Sequence, residues 1–186
     1  MSLNKQNLYY IALLTNKATA KAIRAFKLDF KMRFGASHAL KSPAHITLQM
    51  PFKKSETFET FMTETLTRFC TDENPFNVEL NGFDCFEPRV IFAKVENPKP
   101  IINLANRLEP IFRDTLKIEK HKFLKNIHPH CTVATRDLIE EMFFKAWKEY
   151  EKKKFKASFT VSSIALLKHN GQNWDVFREF KFGGRQ

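Results

Sequence analysis

Two short phrases of the sequence combine a histidine with a threonine two residues later: His45-Ile46-Thr47-Leu48 and, about 85 residues further along, His130-Cys131-Thr132-Val133. Side chains alternate between the two faces of a β-strand, so in each phrase the imidazole and the hydroxyl point the same way. An imidazole can transfer protons near neutral pH, and a threonine hydroxyl can donate a hydrogen bond to an anion. Two such strands facing each other would form a site for acid–base chemistry on a phosphate.

The elements that position these phrases predict an α+β fold, with the order strand, helix, phrase-bearing strand, helix, strand in each half. Hydrophobic periodicity and turn residues define these elements. The predicted strands span residues 8–14, 44–52, 76–86, 89–95, 130–133, 158–168 and 174–182, and the predicted helices span residues 17–34, 55–71, 98–112 and 137–150.

Local residues indicate where several of these elements begin and end. Gly35 is placed to end the first helix, and Ser55 to cap the second. Pro110 should kink or split the third helix. Asp137, with Glu140 three residues later, has the spacing of a capping box for the fourth. Asn170-Gly171 predicts a hairpin between the last two strands.

The repeated order predicts a single bilobal domain with approximate two-fold symmetry. We expect its lobes to cover residues 1–87 and 88–186 and to pack closely against each other. Two copies related in this way would place the phrase-bearing strands opposite each other across a central cleft, with helices on the outer faces.

Composition limits the class of protein. The chain has 186 residues, 43% hydrophobic, with 20 phenylalanines, which is ample for a buried core. Its early apolar run, residues 8–14, is too short to span a bilayer, and we expect neither a membrane segment nor a signal peptide. Three cysteines without C-x-x-C spacing argue against a disulfide framework and indicate a reducing compartment. We therefore expect a cytoplasmic protein, and a monomer.

Positive charge is concentrated near the start of the chain. The net charge is +11, and residues 1–55 carry ten lysines and arginines against the single acid Asp29. Such a field attracts RNA, nucleotides or phosphate esters, although it does not distinguish among them and also serves solubility.

These residues resemble those of the 2H phosphoesterase superfamily. Residues 43–48 (Pro-Ala-His-Ile-Thr-Leu) and 128–133 (His-Pro-His-Cys-Thr-Val) look like its 2′-5′ RNA ligase (LigT-like) branch, and the resemblance covers nearly the whole chain. It implies a phosphodiesterase that needs no metal or other cofactor and opens 2′,3′-cyclic phosphates on RNA ends or nucleotides. Some members of the family also join or cleave 2′-5′ linkages.

Residue by residue, the resemblance assigns catalysis to His45 and His130 and phosphate binding to Thr47 and Thr132. Opening a cyclic phosphate with water requires a base for the water proton, an acid for the leaving ribose oxygen, and donors for the equatorial oxygens. The sequence does not distinguish which histidine is the base. The orientation of the ribose in the cleft decides that choice, and it also decides between a 2′- and a 3′-phosphate product.

Several other residues are weaker candidates. His128, Arg89 and Lys53 are candidate residues of the cleft rim, although a plain loop histidine is the stronger interpretation of His128. His128, His130 and Cys131 could suggest a metal site, but a strand points Cys131 away from His130, so we expect none. Candidates for base stacking are Phe52, Phe83, Phe86 and Phe92, for which a place in the core is the stronger interpretation.

The sequence thus predicts a paired-histidine phosphodiesterase, with two alternatives. One is a non-catalytic RNA-binding module with a basic cleft. The other is the same chemistry on a small metabolite, such as a cyclic phosphate of ADP-ribose. Paired titratable groups favour catalysis, because arginine and lysine would suffice for binding alone. A basic connection over residues 117–127 could gate the cleft or project into solvent.

Overall fold

The computed structural model describes residues 6–119 and 127–184, which form an α+β fold as predicted. The strands are β1 (Gln6–Leu14), β2 (His45–Ser55), β3 (Phe76–Phe86), β4 (Val90–Val95), β5 (His130–Ala134), β6 (Lys156–Val161), β7 (Ser163–His169) and β8 (Trp174–Lys181). The α-helices are α1 (Lys17–Phe34), α2 (Glu59–Thr71), α3 (Lys99–Pro110) and α4 (Glu140–Tyr150). The order strand, helix, strand, helix, strand occurs twice, from β1 to β3 and from β4 to β6.

The strands form two antiparallel sheets that meet along the histidine-bearing strands. The first sheet has the order β2-β1-β7-β8 and the second β5-β4-β3-β6. β2 and β5 are edge strands of their sheets, and they contact each other. Helix α1 contacts β5 of the second sheet, whereas α3 contacts β2 of the first. Each helix therefore packs against the phrase-bearing strand of the other half.

The sheets do not divide where the predicted lobes do. The first sheet combines β1 and β2 with the last two strands, and the second contains the middle of the chain. The expected boundary at residues 87 and 88 lies in the tight turn between β3 and β4, two strands that pair with each other. The order of elements repeats in the two halves, but strand pairing is set by contacts between distant residues, which the order does not specify.

The predicted strand over residues 158–168 is in fact two strands. β6 pairs with β3 in the second sheet, and β7 pairs with β1 and β8 in the first. The chain passes from one sheet to the other at Ser162, between β6 and β7. A continuous run of strand-forming residues predicted the extended backbone but not this change of sheet.

The predicted end of the first helix is confirmed, whereas the predicted cap of the second helix is wrong. α1 ends at Gly35, whose φ of 72° is left-handed as expected, and it begins at Asn16, whose side chain accepts a hydrogen bond from the Thr19 amide. Ser55 does not cap α2, since a short 3₁₀ turn over residues 56–58 precedes that helix. The Ser55 hydroxyl instead lies 2.8 Å from the Thr57 hydroxyl.

The second half also contains one correct and one incorrect helix prediction. After Pro110 the α3 helix widens into a π-turn over Ile111–Thr115, in agreement with the expected disruption. Asp137 does not cap α4, which begins at Glu140 with no side-chain cap. The Asp137 carboxylate instead accepts hydrogen bonds from the backbone amides of Ser37 and His38.

One hydrophobic core joins both sheets. Buried residues of β1 and β2 form a single cluster with those of β4, β5 and α3, among them Ile11, Ile46, Ile91, Val133 and Leu104. This shared core holds the two histidine-bearing strands against each other. Among the described helices, none combines the length and apolar character needed to cross a bilayer. Most of the basic connection over residues 117–127 lies outside the described residues.

Candidate active site

The two phrases adopt the alternation that the sequence predicts. Ile46 and Leu48 of β2 are buried, as are Cys131 and Val133 of β5. The histidine and threonine of each phrase are half-buried on the opposite face of their strand. Because one face of each strand packs into the core, the polar pair of each phrase is left on the other face.

A cavity of about 150 Å³ opens at the seam between the two sheets. His45 and Thr47 from β2 line it together with Thr132 from β5. His130 is not among the lining residues, but it lies two residues before Thr132 on the same face of β5. The pKa of His45 is lowered chiefly by burial, and a charge on His130 lowers it further. The structure therefore brings both threonines to one cavity and both imidazoles within electrostatic range of each other.

The two imidazole rings are held by equivalent hydrogen bonds. Nδ1 of His45 lies 2.8 Å from the carbonyl oxygen of Pro43, and Nδ1 of His130 lies 2.6 Å from that of His128. A carbonyl oxygen only accepts hydrogen bonds, so Nδ1 donates in each case. In the neutral ring the proton is then on Nδ1, and Nε2 is left to accept or release a proton.

Burial shifts both histidines towards the neutral form. The pKa of His45 is lowered to about 4, chiefly by burial and further by the charges of Lys27 and His130, while its bond to Pro43 opposes the shift. Burial also lowers the pKa of His130, with a smaller contribution from the charge of His128. A low dielectric penalises the charged ring, so both imidazoles are mainly uncharged at neutral pH.

Lys27 is a buried cation in the cavity wall. It lies on α1 with 4% of its surface exposed, and it lines the cavity beside His45. Its Nζ donates to the carbonyl oxygens of Ser42 at 3.0 Å and Pro43 at 3.3 Å. Burial lowers the pKa of Lys27. No sequence motif singles out Lys27, although it falls on the buried stripe of α1 that contains Ile23 and Phe30.

Arg136 supplies a second cation to the cavity. It directly follows Thr135, another lining residue, and its backbone is left-handed with φ of 61°. The adjacent Asp137 carboxylate accepts hydrogen bonds at 2.8 Å from the backbone amides of Ser37 and His38, and His38 also lines the cavity. This contact joins the chain after β5 to the segment before β2. It depends on residues about 100 positions apart, which no local pattern indicates.

Two aromatic residues that the sequence analysis did not select also line the cavity. The Tyr10 ring lies with its centroid 5.0 Å from that of His45 and 4.6 Å from that of Trp174. The Tyr10 hydroxyl is buried and completes no hydrogen bond within the described residues, although Ser42 lies beside it. Burial raises the pKa of Tyr10, which keeps this hydroxyl protonated and able to donate.

Of the four phenylalanines considered for base stacking, three belong to the core. Phe52, Phe83 and Phe92 are buried, as the stronger interpretation predicted. Phe86 is 41% exposed, and its ring centroid lies 5.2 Å from that of His130. An aromatic surface therefore lies beside the second histidine, at the end of β3.

The three predicted rim residues lie in different places. The His128 ring packs against Phe86 with centroids 5.2 Å apart. Arg89 is exposed on the turn between β3 and β4 and does not line the cavity. Lys53 lines a second cavity of about 430 Å³, which shares Pro51 with the first.

Cys131 lies on the buried face of β5, as the strand parity predicts. Its thiol is fully buried, and burial raises its pKa to about 11. Across residues 6–119 and 127–184, no three histidine, cysteine or acidic side chains are clustered closely enough to hold a metal ion.

Comparison with solved structures identifies the fold. LigT of E. coli, in apo form, superposes with a TM-score of 0.69 at 16% identity, over 96% of this chain and 98% of that one. TT0787 of Thermus thermophilus superposes with a TM-score of 0.62 at 20% identity, over 97% of this chain and all of that one. The fold is therefore that of LigT.

Sequence relatives extend over the same length. A protein of Oceanobacillus iheyensis named "Putative phosphoesterase OB1230" is 26% identical over 94% of this chain and 98% of its own. A "Putative phosphoesterase" of Bacillus pumilus is 27% identical over 88% of this chain and 93% of its own.

The family model of the 2′-5′ RNA ligase superfamily matches residues 15–173, which include both histidine phrases and every residue of the cavity named above except Tyr10 and Trp174. With this match over most of its length, the chain belongs to the 2′-5′ RNA ligase superfamily, the 2H phosphoesterases.

Proposed function

We propose that this protein opens 2′,3′-cyclic phosphates at the ends of RNA or on nucleotides, with His45 and His130 as a metal-independent acid–base pair. The observation that carries the proposal is the equivalence of the two phrases at one seam. Each imidazole is held through Nδ1 by a carbonyl two residues earlier, and a threonine from each phrase lines the same cavity.

The arrangement supplies each group that the reaction needs. One histidine takes a proton from water as its oxygen bonds to phosphorus, and the other gives a proton to the ribose oxygen that leaves. Thr47 and Thr132 donate hydrogen bonds to the non-bridging oxygens, where negative charge increases in the transition state. If an RNA 5′-hydroxyl takes the place of water, its oxygen bonds to phosphorus as the bond to the ribose 3′-oxygen breaks, and the same groups would make a 2′-5′ linkage.

The charge of the cavity supports an anionic substrate. Lys27 and Arg136 both line it, and the chain as a whole carries a net charge of +11. Fixed cations stabilise a bound phosphate and raise the rate at which it is encountered.

A nucleotide is the substrate class that the relatives favour. Crystal structures of E. coli LigT have been solved in complex with 3′-AMP, NADP+, phosphate and ATP. Tyr10 and Trp174 in the cavity, and Phe86 beside His130, offer aromatic surfaces of the kind on which bases stack. RNA, as distinct from a mononucleotide, is favoured by Lys53, which lines the second cavity with Lys54 and Lys117.

The test is hydrolysis of 2′,3′-cyclic AMP and of RNA ending in a cyclic phosphate, both in the presence of a chelator. The wild-type protein should convert both, and His45→Ala and His130→Ala should each lose activity by on the order of 10²- to 10⁴-fold. Lys31→Ala is the control, because this lysine is exposed on α1 and does not line the cavity. Circular dichroism would establish that each variant is folded.

The other outcomes separate the alternatives. RNA binding without turnover would favour a non-catalytic module and contradict the proposal. Turnover of a cyclic phosphate of ADP-ribose, but of neither substrate above, would identify a small metabolite. Equal activity in the wild type and both histidine variants would exclude the mechanism.

A further inference from the structure

Lys27 differs from the other groups of the cavity because it acts on only one of the two histidines. Its Nζ lies 3.3 Å from the Pro43 carbonyl oxygen, and Nδ1 of His45 lies 2.8 Å from the same oxygen. The two nitrogens can therefore be no farther apart than the sum of those distances. Lys27 thus shares a hydrogen-bond acceptor with a candidate catalytic imidazole.

Burial lowers the pKa of Lys27, but its hydrogen bonds support the ammonium form. Two carbonyl oxygens accept from Nζ, and hydrogen bonds to the charged form favour that form. The surrounding chain excludes water, since only 4% of the residue is exposed. In such an environment a fixed charge acts on its neighbour with little screening.

The other titratable groups near His45 are Tyr10, His38, His130, Cys131 and Arg136. Among them, Arg136 also carries a fixed charge, but the charges that lower the pKa of His45 are those of Lys27 and His130. Burial raises the pKa of the Tyr10 hydroxyl and of the Cys131 thiol, so both are neutral near neutral pH. The pKa of His38 is lowered by burial and by Arg136, which also favours its neutral form.

His130 has a different neighbour. Its Nδ1 donates to the carbonyl of His128, and the charge that lowers its pKa, after burial, is that of the His128 ring. The hydrogen bonds of the two candidate catalytic rings are equivalent, but their electrostatic surroundings are not.

We propose that Lys27 adds to the effect of burial on His45 and so makes the two histidines inequivalent, with His45 as the general base and His130 as the general acid. This assignment rests on the proposed function. Nε2 of His45 accepts a proton from water as the water oxygen bonds to phosphorus, while His130 donates its proton to the ribose oxygen as the bond from that oxygen to phosphorus breaks. Exchange with solvent then returns both rings to their starting states. Lys27 is a positioning residue, acting through charge and through the Pro43 carbonyl.

The first test measures the pKa of His45 by NMR, without any substrate. Lys27→Met removes the charge and the hydrogen bonds, and Lys27→Gln removes the charge but keeps a donor. Both should raise the pKa of His45 by about one unit or more, as expected for loss of a nearby like charge. Lys31→Met, an exposed residue of the same helix, is the matched control and should leave that pKa unchanged. An unchanged pKa of His45 in a folded Lys27 variant would overturn the proposal.

The second test assigns the roles by the pH dependence of kcat/KM for 2′,3′-cyclic AMP. If His45 is the base, its higher pKa in the Lys27 variants moves the acidic limb to higher pH and does not raise the maximum. If His45 were the acid, the same change would enlarge the fraction of enzyme in the reactive protonation state and would raise the maximum. A raised maximum would therefore overturn the assignment.

A substrate with a good leaving group gives an independent result. Bis(p-nitrophenyl) phosphate releases a phenolate that needs no proton, so the activity lost in His130→Ala should be at least about tenfold smaller on it than on 2′,3′-cyclic AMP. His45→Ala should lose activity on both substrates, and the opposite pattern would reverse the two roles. Absence of turnover by the wild-type protein on every phosphodiester would overturn the proposed function and the assignment of roles. The NMR result would still decide whether Lys27 favours the neutral form of His45.

Discussion

His45 and His130 are oriented by the same local hydrogen bond, from Nδ1 to the carbonyl oxygen two residues earlier in the chain. In a serine protease, a buried carboxylate fixes the tautomer of the catalytic histidine. Here a main-chain carbonyl makes that contact for each ring. Because this carbonyl lies on the segment that leads into the strand, each phrase is preceded by its own orienting group.

The two threonines should affect the transition state more than binding. Thr47→Val and Thr132→Val keep the shape of the side chain and remove its hydroxyl. Each should lower kcat for 2′,3′-cyclic AMP by on the order of 10²-fold with little change in KM, as found when a donor to a developing oxyanion is removed. The matched control is Thr160→Val on β6, where the hydroxyl binds Asn77. A higher KM at unchanged kcat would show that the hydroxyls act in binding alone.

The local geometry of the site was predictable from the sequence, whereas its surroundings were not. Alternation along a strand depends only on neighbouring residues, so the burial of Ile46 and Cys131 and the half-exposure of the adjacent polar groups followed directly. Membership of β3 and β7 in opposite sheets depends on pairing between distant strands. Repetition of the element order therefore predicted the two-fold arrangement but not which strands share a sheet.

The same distinction explains the residues that sequence analysis missed. Lys27 lies on the buried stripe of α1, but a lysine in an amphipathic helix usually extends into solvent, so its burial required the carbonyls of Ser42 and Pro43 to be known. Trp174 belongs to β8, near the end of the chain, and reaches the cavity because β7 and β8 complete the first sheet.

Tyr10 offers a test of ligand binding that is independent of catalysis. Its buried hydroxyl makes no completed hydrogen bond in the described protein, so Tyr10→Phe should leave the free protein as stable or make it more stable. The same change should weaken the binding of 3′-AMP by roughly fivefold, the value of one neutral hydrogen bond, as measured by calorimetry.

Tyr9→Phe is the matched control for this prediction. The Tyr9 hydroxyl donates to Glu59 at 2.5 Å, away from the cavity. Its removal should lower the unfolding temperature and leave the affinity for 3′-AMP unchanged. Equal affinity in Tyr10→Phe and the wild type would exclude a contact between Tyr10 and the ligand.

Arg136 should contribute to the binding of the phosphate itself. Arg136→Met should raise KM for the cyclic phosphate and weaken inhibition by inorganic phosphate by roughly tenfold or more, since a hydrogen bond to a charged group contributes about 1.5 to 3 kcal/mol. Arg113→Met is the control, because Arg113 is paired on the surface with Glu109 and Asp114. Unchanged inhibition by phosphate in Arg136→Met would show that the phosphate does not bind at Arg136.

The lowered pKa of His45 predicts a dependence of stability on pH. In the unfolded chain this histidine takes up a proton as the pH falls below about 6.5, whereas in the folded protein it stays neutral down to about pH 4. The contribution of neutral His45 to the free energy of unfolding is therefore fully present above about pH 6.5 and is lost as the pH falls towards 4. For one proton the loss is at most about 1.4 kcal/mol per pH unit.

Urea unfolding at several pH values between neutrality and the folded-state pKa of His45 measures this effect. His45→Gln cannot take up the proton, so the stability of this variant should fall less steeply with decreasing pH than that of the wild type. Carboxylates that titrate in the same pH range change the stability of both proteins. Subtracting one curve from the other therefore cancels their contribution. Parallel curves would contradict the lowered pKa.

Lys53 should distinguish RNA from a mononucleotide. It is exposed and lines the second cavity, which shares Pro51 with the candidate active site, so its charge is available to a phosphate beyond the one that reacts. Lys53→Ala should lower kcat/KM for cyclic-phosphate-ended RNA severalfold and reduce the salt dependence of RNA binding by about one phosphate contact. Turnover of 2′,3′-cyclic AMP should be unaffected. Lys31→Ala, an exposed lysine of α1, controls for the change in net charge. If Lys53→Ala lowers kcat/KM equally for both substrates, Lys53 acts within the catalytic cavity and the RNA does not follow the second one.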